Sequence, residues 1–117
     1  MAPTTRFEAG DIVLVRFPFT DLSTVKQRPA LVLSSEEHQN VGHDVIVAAI
    51  SGRMSGNPRR FDHPIMAWEG AGLLMPSVVR CAKLVTLERS TVHRILGRLG
   101  RNELARVSGL LRQALAM

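Results

Sequence analysis

Arg28, Ser51 and Arg80 are the side chains whose type and setting suit work on a phosphate. Arg28 stands in the run Gln27-Arg28-Pro29. Proline fixes its own φ and drives the preceding residue toward extended backbone, so Arg28 is expected at the mouth of a strand. An arginine so held, with no carboxylate beside it in sequence, can bind an anion or stabilise a phosphorane-like transition state. A solvated loop arginine is the plainer reading of the same residue. Ser51 directly follows the apolar run VIVAAI. A hydroxyl at the end of a rigid strand can donate one accurate hydrogen bond to a phosphate oxygen, and Gly52 leaves the adjacent backbone open to close approach. An ordinary turn serine would look alike. Arg80 lies in PSVVRCAK, where a cation between apolar neighbours is costly unless it faces a groove or a partner.

A second set of cations would bind the polyanion without acting on it. Arg53, Arg59 and Arg60 occupy the Gly-, Pro- and Arg-rich stretch GRMSGNPRR, and phosphate contacts from such a loop are largely blind to sequence. Lys26 closes the loop before Arg28. Lys83 follows Arg80 by three residues, which on a straight strand points it to the opposite face. Charge distribution supports a polyanionic partner. The net charge is +5, yet residues 1–50 carry four basic and six acidic side chains, whereas residues 51–117 carry eleven and four. A nucleic acid or an acidic protein fits that asymmetry. His38, His43, His63 and His93 are scattered singly, with no neighbour marking a general base; His63 is the best placed, after the basic loop. Phe61 and Trp68 could stack on bases, but with only five aromatics in the chain they are expected in the core.

These residues need a scaffold. At 117 residues with 45% apolar side chains the chain is expected to form one domain, spanning residues 1–117. Cys81 is the sole cysteine, so no intrachain disulfide forms, and a reducing cytoplasm is the simplest home. No His/Cys cluster has metal-ligand spacing. No apolar run approaches a membrane span, and the first residues lack a signal-peptide core. Strands are expected over Ile12–Phe17, which Pro18 ends or places at an edge, then over Ala30–Ser34 and Val45–Ile50, the last too apolar for a surface strand. A fourth is expected over Phe61–Trp68, followed by a turn at residues 69–72. Ser77–Cys81 and Leu84–Leu87 form one bent strand or two short ones, and His93–Leu96 forms the last. From Asn102 the pattern changes. Leu104, Val107, Leu111 and Leu115 trace one stripe of an amphipathic helix, with Gly100 as N-cap and Glu103 in the first turn, where the macrodipole favours an acid. Many short strands and one closing helix predict a small, bent barrel.

Five segments in order, GDIVLVRFPFTDL, QRPALVLSS, VIVAAIS, SVVRCAKLVTL and the C-terminal helix, resemble the PemK/MazF family of toxins. The resemblance covers nearly the whole chain. It implies a mainly β fold, a small SH3-like barrel of CcdB/MazF type with a C-terminal α-helix, that forms a homodimer. It implies a toxin that arrests growth by cleaving single-stranded RNA, mRNA included, without metal or other cofactor, and a cognate antitoxin whose disordered segment folds over the RNA groove. Carried over by position, Arg28 matches the family's catalytic arginine, Ser51 its catalytic Thr or Ser, and Arg80 an arginine that some members use. The chain also departs from the pattern. Many members carry Glu-Gln or His-Glu-Gln before the Arg-Pro step, where this chain has DLSTVKQ with Asp21 as the loop's carboxylate; some carry an aspartate at the position of Ala82. General acid–base work thus has no assigned residue. The alternatives are a non-catalytic toxin on the same barrel, similar to the CcdB-type gyrase poisons, and a nucleic-acid-binding barrel without activity.

Overall fold

A computed structural model describes residues 6–17, 26–52 and 59–117 of the chain. The elements run β1 (Asp11–Phe17), β2 (Lys26–Val32), α1 (Glu36–Gly42), β3 (Asp44–Gly52), β4 (Asp62–Pro64), β5 (Ser77–Glu88), a 3₁₀ turn (Arg89–Thr91), β6 (Val92–Arg98) and α2 (Arg101–Ala114). The strands form one antiparallel sheet in the order β4-β5-β3-β2-β1-β6. The fold is mainly β, as expected, with the closing helix in place.

The sheet is bent into an open barrel by irregular pairing. Between Ala48↔Leu84 and Ala49↔Arg80 the register of β3 on β5 jumps. Residues 81–83 bulge there, so that β5 is a single strand with a corner in it. Before that corner, β5 also pairs with β4 through Asp62↔Arg80, His63↔Val79 and Pro64↔Val78. The turn after β4 then reaches the other edge of the sheet. A Cβ built on Gly72 would lie 2.1 Å from the Leu96 carbonyl oxygen, and one on Gly97 would lie 2.1 Å from that of Ala71. Two glycines therefore let the backbones of that turn and of β6 touch, and Gly72, at φ +85°, also needs the left-handed conformation.

Because neighbouring strands are in register, alternate residues fall into two apolar clusters on the two sides of β1, β2 and β3. One contains Ile12, Leu31, Ala48, Ile50, Val79 and Cys81 and is covered by Val107 of α2. The other contains Val13, Val15, Ala30, Val32, Val45, Val47 and Ala49. The expectation that Val45–Ile50 is buried on both sides is met except at Ile46, which is half-buried. Leu104 and Leu111 pack on the first cluster, whereas Leu115 lies beyond the helix and is half-exposed.

Three expectations needed correction. The strand expected over Ala30–Ser34 is Lys26–Val32, beginning four residues earlier and ending two earlier. The strand expected over Phe61–Trp68 is only Asp62–Pro64, because the Met66 and Ala67 N–H groups donate to the Glu103 carboxylate, at 2.8 and 3.3 Å, rather than to a ladder. Helix α1 was not expected. Its N-cap Ser35 accepts from the His38 N–H, and its one buried residue is polar. That residue, Gln39, exchanges hydrogen bonds with the N–H and the carbonyl of Phe7, and so fastens the segment before β1.

Candidate active site on one face of the barrel

Arg28 is the third residue of β2 and pairs with Val15 of β1. It is exposed. On its other side β2 pairs with β3 only from Ala30↔Ala49 onward. Pro29 has no N–H to give a ladder, so the two strands part at that point. Continued by two residues, the same register would set Arg28 opposite Ser51. Ser51 is half-buried near the end of β3 and pairs on its other side with Val78 of β5. Arg80 pairs with Ala49, one diagonal step from Ser51, about 7 Å in a regular ladder. Paired residues point to the same side and alternate residues share a face. Arg28, Ser51 and Arg80 therefore lie on one face, at the open end of the cluster built from Ala30, Val47 and Ala49. Sequence marks the three one at a time; the register brings them to one face.

The Arg80 cation has a partner that sequence reasoning missed. Its Nε lies 3.2 Å from Oδ1 of Asp62, with only 22% of the Arg80 side chain and 10% of the Asp62 side chain exposed. The other carboxylate oxygen, Oδ2, accepts from the Arg59 N–H at 2.9 Å. Asp62 and Arg80 are eighteen positions apart and meet only across β4 and β5, so no local pattern marks them. Arg59 and Arg60 are exposed, and the Arg60 guanidinium sits over the Phe61 ring at 5.3 Å. Lys83 is exposed in the bulge of β5. Arg53 and the Lys26 side chain, both expected to touch RNA, fall outside the described residues, as do Pro18 and Asp21.

His63, the best-placed histidine in sequence, belongs elsewhere. Its register partner Val79 is in the cluster under α2, on the opposite side from Arg28. There it is buried, and its Nε2 donates to Glu103 at 2.9 Å. Burial works to raise the Glu103 carboxyl, but the N–H donors of Met66, His63 and Ala67 outweigh it and hold the group below its ordinary value. Glu103, expected only to favour the macrodipole, thus ties α2 to β4. The Cys81 thiol is buried and pushed up to about 11, by burial first and by the nearby Asp62 carboxylate second; it is no nucleophile near neutrality. Phe61 and Trp68 are half-buried against the core, as expected. Among the described residues no cluster of His, Cys, Asp and Glu could hold a metal ion, and no helix is long and apolar enough to cross a membrane.

No curated protein sequence is significantly similar to the chain. Solved structures are. MazF from Deinococcus radiodurans is 28% identical, with a TM-score of 0.75 over 94% of this chain and 96% of that one. A MazE–MazF structure from the same organism gives 27% identity and a TM-score of 0.75, covering 94% of this chain and 96% of that chain. An endoribonuclease in complex with its cognate antitoxin, from a mycobacterial species, is only 13% identical and shares the fold alone, with a TM-score of 0.76 over 96% of this chain and 97% of that one. The family model for the PemK-like, MazF-like toxin of type II toxin–antitoxin systems matches residues 8–115. That match spans the Arg-Pro step, the Ser51 strand end and the closing helix alike, and the chain belongs to the PemK-like, MazF-like toxins.

Proposed function

We infer that the protein is an endoribonuclease that cleaves single-stranded RNA without a metal, its reaction centred on Arg28, Ser51 and Arg80. The observation that carries this reading is their common face, where β2 and β3 part beside Pro29. In the proposed reaction the ribose 2′-oxygen bonds to the adjacent phosphorus and gives up its proton, while the bond from phosphorus to the 5′-oxygen breaks and that oxygen takes a proton. The products are a 2′,3′-cyclic phosphate and a 5′-OH end. Charge that builds on the non-bridging oxygens is met by the Arg28 guanidinium, with Arg80 beside it, and Ser51 donates one hydrogen bond. Arg59 and Arg60, with Arg53, Lys26 and Lys83, bind the flanking phosphates.

Family membership and the neighbours solved with antitoxins support a cognate antitoxin as partner. A homodimer with the RNA groove near its interface is part of the same reading. Apolar side chains left outside the core favour it, among them Leu74 at 97% exposure; sedimentation showing only monomer at micromolar concentration would count against it. The test of the central reading is incubation of a long single-stranded RNA with the protein in EDTA, beside Arg28→Ala. Cleavage by the wild type alone, with cyclic-phosphate and 5′-OH ends and a loss of about 10²–10³-fold or more in the variant, is expected. Intact RNA with wild-type protein would overturn it.

A further inference from the structure

We propose that Asp62 is the positioning residue for Arg80, gripping the guanidinium by Nε and turning its two terminal nitrogens toward the phosphate. The inference rests on the ribonuclease reading above and deepens it. Asp62 and Arg80 are direct partners across β4 and β5, so their side chains leave the sheet on the same side. The contact runs from Oδ1 to Nε, 3.2 Å apart, and is largely shielded from water. A guanidinium carries five N–H donors in a rigid fork, one on Nε and four on the terminal nitrogens. A carboxylate whose nearest approach is to Nε sits at the base of the fork, with the four N–H groups of the terminal nitrogens farther from it. The ion pair restrains where the group sits, and a phosphate must meet the guanidinium plane at a set angle for two parallel hydrogen bonds. The same carboxylate holds Arg59, whose N–H donates to Oδ2 at 2.9 Å. One side chain thus sets the position of Arg80 relative to Arg59 and Arg60.

An ion pair that merely held the barrel together would predict something different. It would cost stability when broken, and well below the melting point it would leave kcat unchanged. A positioning residue acts on turnover only through Arg80, so the two losses in kcat must not multiply. The experiment measures kcat and KM separately on a labelled single-stranded oligoribonucleotide for the wild type, Asp62→Asn, Arg80→Ala and the double variant, with thermal melts of each. Asp62→Asn is expected to lower kcat about 10–100-fold with little change in KM, and the double variant to cleave no more slowly than Arg80→Ala. Wild-type kcat in Asp62→Asn, or losses that multiply in the double variant, would overturn the proposal. Arg80→Lys decides the matter should Asp62→Asn fail to fold. A lysine keeps the charge but has one ammonium to divide between carboxylate and phosphate, so its kcat should fall as far; wild-type turnover would overturn the idea. Failure of a different kind is separable. RNA left intact by the wild type, or cut equally by Arg28→Ala, would overturn the ribonuclease reading itself, and this inference with it.

Discussion

Removing the Glu103 carboxylate should loosen the barrel without touching the reaction. Glu103 accepts from His63 Nε2 at 2.9 Å, from the Met66 N–H at 2.8 Å and from the Ala67 N–H at 3.3 Å. A hydrogen bond to a charged group contributes about 1.5–3 kcal/mol net. The Ala67 contact is long, and the two backbone donors can be rewetted, so the full sum is not expected. Most of the cost falls on His63, which stays buried when its partner goes. Glu103→Ala should therefore destabilise the fold by about 3 kcal/mol, a fall of roughly 10 °C in Tm for a chain of this size. The pH dependence has a definite sign. Folding lowers the Glu103 pKa, so its stabilisation is fully present above the unfolded-state value and is lost as pH falls through the folded one. The gap between wild type and Glu103→Gln in urea melts should be widest near neutrality and should close in acid. Because His63 and Glu103 lie on the α2 side, RNA cleavage well below the melting point should be unchanged. A destabilisation under about 0.5 kcal/mol, or a gap that widens in acid, would refute this account of the contact.

Other substitutions test other parts of the structure. Gly97→Ala would put a Cβ 2.1 Å from the Ala71 oxygen, and should cost more than about 2 kcal/mol in denaturant unfolding. Gly109→Ala has the opposite sign: nothing lies within 4 Å of its Cβ position inside α2, so it should stabilise by about 0.5–1 kcal/mol. Cys81, buried and with its thiol pushed up to about 11, should resist a thiol-specific reagent at pH 8 until the protein is unfolded. Replacing Arg59 and Arg60 by Ala should weaken binding to a non-cleavable single-stranded analogue and flatten the dependence of log K on log salt by roughly 0.7 per lost phosphate contact; an unchanged slope would place the RNA elsewhere.

Much of this architecture was legible in the chain itself. The β-branched runs around Ile12 and Val45 announced their strands, since a run that is apolar at every position can only be buried on both sides. The three- and four-residue spacing of Leu104, Val107 and Leu111 announced α2, and the Arg28-Pro29 step placed an arginine on extended backbone. Together with the order of the five segments they sufficed to recognise the family. Helix α1 escaped because its buried residue is an amide, Gln39, and an apolar stripe was the signal sought. The length of β4 differs from the expectation because Phe61, Ile65 and Ala67 fall at the two-residue spacing of one strand face. Whether they pair as one depends on a carboxylate about 36 residues away.

The local sequence settled which segments extend, which coil and where an arginine is held, because those choices depend on neighbours a few positions apart. Which face each side chain shares was decided by strand register, and register is a property of pairs of strands. Only the folded sheet sets Arg28, Ser51 and Arg80 on one side, sends His63 to the other and gives Arg80 the carboxylate of Asp62. A shift of one residue in the pairing of β4 would have exchanged Asp62 for His63 on the face that carries Arg28 and Arg80.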